Sequence, residues 1–234
     1  MVIDMKMLVS DYDDTFYLND IDIMNNIKLV NEFMKDNMFV IATGRTYTDF
    51  KKKEKLYNIK YDYLIINHGA TILKDDKVIY NKVIDNSVIK DIINELDISS
   101  SSFYFVSTST DGRANINSND ITKIHVRYDN SKKALEIRDK ILDKYKDYVQ
   151  AFMVFNDSAI ELVNASINKK YAIDYIIDKE HLNKDNVYTV GNGLTDCLMI
   201  KEFNGYSMKN GVDELKNVAL GECESVYNLI EKII

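Results

Sequence analysis

Chemistry-bearing residue types gather in four short stretches of this chain, far apart in sequence. The first is Asp11-Tyr12-Asp13-Asp14-Thr15. Residues two apart fall on the same side of an extended chain, so Asp11 and Asp13 can face one site. A neighbouring carboxylate and partial burial both raise a carboxyl pKa, which suits Asp13 to act as an acid. The second stretch, Thr43-Gly44-Arg45, offers a hydroxyl, a backbone amide and a guanidinium to an anion. The third is Lys169, a further positive charge. The fourth, Gly191-Asn192-Gly193-Leu194-Thr195-Asp196, brings an amide oxygen and a carboxylate, oxygen ligands of the kind a hard cation takes. A nucleophile, an acid for a departing oxygen and positive charge for an anion are the parts of a hydrolytic site for phosphate esters.

Each stretch has a plainer reading by itself. An Asp-x-Asp pair in an Asp-rich chain makes a turn or a solvated face. Thr43 can cap a helix. Lys169 can be a surface lysine, and Gly191 to Asp196 an ordinary strand-to-helix turn. What joins them is their place relative to the elements. MLVS (7–10), FVIAT (39–43), YLIIN (63–67) and VYTVG (187–191) are short apolar runs that read as buried parallel strands. Helices are predicted over 22–36, 46–56, 169–179 and 194–203, and an amphipathic one near 223–233. This alternation predicts a parallel α/β sheet. In such sheets ligands bind beyond the carboxyl ends of the strands, where all four stretches fall.

Between residues 84 and 160 the pattern changes. After a hairpin over 71–83 come a helix near 86–97, strands over 102–109 and 122–129, a helix over 131–145, and strands over 149–155 and 158–163. Helix, two strands, helix, two strands predicts a separate α+β unit with an antiparallel sheet. The expected organisation is a Rossmann-like α/β core of residues 1–83 and 161–234, with an α+β cap of residues 84–160 inserted.

Composition excludes other classes. A net charge of −7 argues against a dedicated nucleic-acid binder, which needs a basic footprint. No stretch approaches the roughly 20 apolar residues of a membrane span. The first residues carry acidic groups where a signal peptide would carry basic ones, so a cytoplasmic protein is expected. Cys197 and Cys223 are too few for a disulfide framework. The scattered His68, His125 and His181 are expected to be structural. A monomer is the default.

On these motifs the chain resembles the haloacid dehalogenase superfamily of phosphatases, most closely the branch of Cof-type and sugar phosphatases with a large cap after the third core strand. Asp11 to Thr15 matches the first motif, Asp-x-Asp-x-Thr, and Ala42-Thr43-Gly44-Arg45 the second. Asn67-His68-Gly69-Ala70 resembles the Asn-Gly-Ala turn before the cap, with one residue inserted. Ser166-Ile167-Asn168-Lys169 resembles the segment carrying the family's lysine, and Gly191 to Asp196 its Gly-Asp-x-x-Asn-Asp motif.

The resemblance implies Mg²⁺-dependent hydrolysis of a small phosphorylated metabolite through an aspartyl-phosphate. Asp11 would be the nucleophile. Asp13 would protonate the leaving oxygen and later take a proton from water. Thr43, Gly44 and Lys169 would hold the phosphoryl group, with Arg45 contacting substrate or cap. Asp11, the Asp13 carbonyl, Asn192 and Asp196 would hold the metal, and Thr15 would support the loop. The cap would select the substrate, with Arg113 and Asn115 of the 111–119 loop as candidate contacts.

Two residues depart from the pattern. Asn192 stands where the family has its first acidic-motif aspartate, which should lower metal affinity. Asp14 stands where many relatives have Gly. A phosphomutase would share every motif, and Asn192 keeps open a binding or regulatory relative that lost turnover. A response-regulator receiver fits less well, because its acceptor Asp follows the third strand rather than the first.

Overall fold

The computed structural model describes residues 5–234. Residues 1–4, with which the expected core begins, lie outside them. Without proline, the chain turns on Asn, Asp and a few other residues with left-handed backbone. Strand β1 (Met7–Ser10) leads to helix α1 (Asp20–Phe33), capped by the Asn19 side chain, which accepts from the Ile21 and Asp22 amides. That cap starts the helix two residues before the apolar periodicity does. Strand β2 (Met38–Ala42), helix α2 (Tyr47–Tyr57) and strand β3 (Tyr63–Ile66) follow. Asn58 ends α2 with φ 54°. A hairpin of β4 (Thr71–Lys74) and β5 (Lys77–Asn81) turns on Asp75 and Asp76, φ 51° and 59°.

Next come α3 (Asn86–Glu95), β6 (Phe103–Ser107), β7 (Lys123–Arg127), α4 (Ser131–Tyr145), β8 (Val149–Val154) and β9 (Ala159–Asn164). The chain ends with α5 (Lys169–Glu180), β10 (Val187–Gly191), α6 (Cys197–Glu202), β11 (Asn204–Met208), α7 (Asp213–Lys216), β12 (Gly221–Cys223) and α8 (Val226–Ile233).

The main sheet has the order β12-β11-β10-β1-β2-β3-β4-β5, parallel except for the β4–β5 hairpin at one edge. Side chains alternate between its faces. Leu8, Phe39, Ile41 and Leu64 pack with α1, α2 and α8 on one side. Met7, Val9, Val40, Ala42 and Ile65 pack under α5 and α6 on the other. This is the three-layered α/β architecture that the alternating elements predict.

The second sheet, β6-β7-β9-β8, is antiparallel throughout. Ile124, Val126, Ile160 and Leu162 on one of its faces form a third core with Val88, Ile92, Ala134 and Ile141. It follows β5 and precedes β10, so two connections join the sheets. The Asn164 side chain on one donates to the Val83 carbonyl on the other, at 2.8 Å.

Two sequence-based boundaries shift. β9 runs to Asn164 in the second sheet, past residue 160, where the expected cap ended and which falls inside a strand. β11 and β12 extend the main sheet beyond β10, the last strand that hydrophobic pattern alone identifies. Gly205 explains the missed β11. A Cβ there would stand 2.0 Å from the Ile200 carbonyl oxygen, so α6 and β11 cross too closely for a side chain. The predicted helix over 194–203 resolves into a tight 3₁₀ turn at Leu194–Asp196 and then α6.

Candidate active site

β1 lies between β10 and β2, the point at which the sheet order reverses and a crevice opens. Asp11 follows β1, with its amide donating to the Val190 carbonyl at 2.9 Å. The chain then turns tightly, with Asp14 at φ 55°, a conformation that Gly, Asn or Asp adopts most readily. The buried Tyr12 and Phe16 rings anchor this turn among Phe50 and Phe39.

Lys169 opens α5, whose cap is the Asn168 side chain accepting from the Tyr171 amide at 2.8 Å. Gly69, at φ +105°, lets the preceding turn close against Asn168. A Cβ there would be 2.4 Å from the Asn168 carbonyl oxygen. The ammonium so placed donates to Asp11 Oδ1 at 2.5 Å and to Asp196 Oδ1 at 2.6 Å. Asp11, Lys169 and Asp196 are only 7%, 2% and 1% exposed. Asp196 Oδ2 accepts from the Asn192 and Gly193 amides at 3.1 and 3.0 Å. Both Asp196 oxygens are therefore engaged, and the carboxylate ties Lys169 to the loop after β10. Burial pushes the Asp11 carboxyl up to about 7, against the pull of Lys169. Burial also opposes the charge on Lys169, but Asp11 and Asp196 outweigh it and hold the ammonium above its usual range.

Asp13 stands at the rim. Arg45 grips both its oxygens, Nη2 to Oδ1 at 2.6 Å and Nε to Oδ2 at 2.8 Å, and lies over the Tyr12 ring. Asn192 sits between the two motifs. One end of its amide faces the Asp13 carbonyl oxygen at 3.1 Å, Asp11 Oδ2 at 3.3 Å and Thr15 Oγ1 at 3.1 Å. Nitrogen at that end donates to all three. Oxygen at that end accepts from the Thr15 hydroxyl but also meets two acceptors, the Asp13 carbonyl and Asp11 Oδ2, and calls for a cation between them. The donor set of a carboxylate, a main-chain carbonyl and an amide oxygen suits a hard cation such as Mg²⁺. Among the described residues there is no cluster of three or more His, Cys, Asp or Glu side chains that could hold a metal.

Thr43 is buried and its Oγ1 accepts from the Arg45 amide at 3.1 Å. Gly44 lies against His68, whose ring a Cβ at 44 would approach to 2.4 Å. Here the second sheet meets the first. Lys123 of β7 donates to the Gly44 carbonyl at 2.7 Å and to Glu161 Oε1 at 2.9 Å. Glu161 of β9 also pairs with His125 Nδ1 at 2.9 Å and His68 Nε2 at 2.5 Å. All four side chains are buried. Burial opposes ionisation of Glu161, but Lys123, His125 and His68 hold its carboxyl well below the ordinary range. Burial keeps His68 below its usual value, and its Nδ1 has no partner among the described residues.

A cavity of about 650 Å³ opens between the sheets. Asp11, Asp13, Gly44, Arg45, Lys169, Asn192 and Asp196 line it from one side. Thr43, buried behind Gly44 and Arg45, is not among its lining residues. From the second sheet come residues that motif reading missed, among them Phe105, Lys123, His125, Arg127 and Glu161. Their signal is period-two alternation, since Lys123, His125 and Arg127 share one face of β7. Arg113 of the 111–119 loop reaches the cavity, whereas Asn115 caps its own turn by accepting from the Asn117 amide. His181 ends α5 in left-handed conformation, away from this site.

The described residues include no helix long and apolar enough to cross a membrane. The description haloacid dehalogenase-like hydrolase matches residues 8–111 and 97–228. A 5-amino-6-(5-phospho-D-ribitylamino)uracil phosphatase of Bacillus subtilis is 24% identical over 224 residues, 93% of this chain and 89% of its own. A haloacid dehalogenase-like hydrolase of B. subtilis superposes with TM-score 0.84 and 19% identity, over 98% of this chain and 100% of its own. A HAD subclass IIB sugar phosphatase superposes with TM-score 0.77 and 16% identity, over 98% and 100%. At these identities the superpositions speak for the fold, while the family match spans most of the sequence. The chain belongs to the haloacid dehalogenase-like hydrolases, a family of enzymes.

Proposed function

We propose that this enzyme is a Mg²⁺-dependent phosphatase that hydrolyses a small phosphorylated metabolite of the cytoplasm through an aspartyl-phosphate on Asp11. The observation that supports it best is the buried bridge from Lys169 to Asp11 and Asp196, at the point where the sheet order reverses. Lys169 fixes one oxygen of Asp11 and leaves Oδ2 directed toward the oxygen cluster around Asn192. Asp11 attacks phosphorus, forming an O–P bond as the ester P–O bond breaks. Asp13 gives its proton to the departing oxygen, then takes one from the water that attacks the acyl-phosphate and restores Asp11. Arg45 must release Asp13 for this, and the incoming phosphoryl group offers the guanidinium an equivalent bidentate partner. The Thr43 hydroxyl and the Gly44 amide donate to phosphoryl oxygens, and Lys169 balances their charge.

Asp11 Oδ2, the Asp13 carbonyl and Asn192 Oδ1 would hold Mg²⁺, with Asp196 orienting their loop. When bound, the ion would supply positive charge that favours ionised Asp11 and lets two anionic groups approach. The second sheet acts as the cap, closing over the phosphoryl site and excluding water.

The test is release of inorganic phosphate from a panel of phosphomonoesters with and without Mg²⁺. Release that needs the metal and falls by about 10³-fold or more in Asp11→Asn supports the reading. Undiminished release by Asp11→Asn refutes it.

A further inference from the structure

The wall that the second sheet turns toward Asp11 is made of rings and cations. Along β6 and β7, Val106, Ile124 and Val126 point into the core, while Phe103, Phe105, Lys123, His125 and Arg127 point into the cavity. The register sets Phe105 opposite His125 and Phe103 opposite Arg127. The Phe105 and His125 rings stack, with centroids 4.7 Å apart and planes 13° apart. The Arg113 guanidinium lies 3.8 Å from the Phe105 centroid, and that of Arg127 lies 5.1 Å from the Phe155 centroid.

Two properties of this wall ask for a particular ligand. Phe103 and Phe155 are 47% and 59% exposed, which is unusual for large rings gathered on a cavity wall. Positive charge is also in excess. Glu161, the wall's one carboxylate, is already committed to Lys123, His68 and His125. Among the described residues the one ion pair of Arg113 is with Asp49, at 3.4 Å, beside a bond from its Nη1 to the Gly112 carbonyl at 2.6 Å, and Arg127 forms no ion pair. A sugar hydroxyl array needs uncommitted acceptors as well as donors, and this wall offers guanidinium donors while its carboxylate is taken. A ring system gains stacking on Phe, and a guanidinium both stacks and pairs with carbonyl or oxyanion edges. Lys123 touches both the Gly44 carbonyl and the Phe105 face, so the ring wall begins one side chain from the proposed phosphoryl site. A cavity of about 650 Å³ has room for fused rings and a linker.

Resting on the phosphatase reading above, we infer that the ester carries a planar aromatic or heteroaromatic group with an electron-rich edge, which stacks beside Phe103 and Phe155 and takes the place of Arg113 on the Phe105 face, as Arg113 swings out with Arg127 to hold that edge. It is not a simple sugar phosphate.

The experiment compares kcat/KM, with Mg²⁺, for flavin mononucleotide and pyridoxal 5′-phosphate against glucose 6-phosphate and glycerol 2-phosphate. At least one aromatic ester should exceed both non-aromatic ones by about tenfold or more. Phe105→Leu, which keeps apolar bulk on an edge strand, should cut that ratio about fivefold to tenfold, and Phe105→Tyr should restore it. A non-aromatic ester used as well as the aromatic ones, or a ratio unmoved by Phe105→Leu, overturns the inference. If no ester is hydrolysed, the phosphatase reading falls, and flavin mononucleotide binding followed by its own fluorescence decides the inference separately. Saturable binding that weakens about fivefold or more in Phe105→Leu upholds it, and absence of saturable binding, or equal binding by the variant, overturns it.

Discussion

The residues that matter most are those whose charge has nowhere else to go. Lys169 is buried between Asp11 and Asp196. Replacing it with Met leaves two buried carboxylates unpaired, so Lys169→Met should cost about 3–5 kcal/mol in urea denaturation and remove most activity. A variant as stable as the parent would show that the bridge is dispensable. Asn192 brings an oxygen to the proposed metal position but no charge. Asn192→Asp should tighten Mg²⁺ by about tenfold or more in calorimetric titration, because a full negative charge would then face the ion. Unchanged affinity would separate position 192 from metal binding. Asp11, Asp13, Thr43, Gly44, Arg45, Lys169, Asn192 and Asp196 were all legible as candidates, because each follows or caps an element whose apolar pattern is strong. The pairing of Arg45 with Asp13 was not, since it depends on side-chain directions in two separate loops.

At the scale of elements, the site is set by close approaches that only glycine permits. Gly69 brings the turn after β3 against the start of α5, and Lys169 is aimed at Asp11 from there. Gly69→Ala should therefore cost about 2 kcal/mol or more and lower kcat/KM beyond what the lost stability explains, by displacing Asn168 and its neighbour. Wild-type kcat/KM in the folded variant would contradict this coupling. Strands β1, β2, β3 and β10 were legible as apolar runs because both their faces are buried. β11 and β12 were not. One holds Gly205 where α6 crosses it, and the other is three residues long, so neither builds a pattern. Lys123, His125 and Glu161 sit on strands that were foreseen, but their convergence depends on β7 pairing with β9, which no local spacing encodes.

Across the whole molecule, Glu161 joins the two sheets. Its carboxyl is held well below the ordinary range, so its contribution to stability is present above about pH 4.5 and is lost as pH falls through its lower folded value. Glu161→Gln should cost about 3 kcal/mol near neutral pH, because Lys123 then loses its buried partner, and the gap from wild type should narrow below pH 4.5. A gap independent of pH would mean that Glu161 acts through packing alone. The proposed chemistry needs segments from both halves of the chain to converge on one carboxylate at position 11. The most direct measurement is acid quenching during turnover, followed by borohydride reduction and peptide mapping, since reduction turns an aspartyl-phosphate into homoserine. Homoserine at position 11, dependent on both ester and Mg²⁺, is the predicted result. Sustained turnover with residue 11 unmodified, or with the label at another residue, would contradict it.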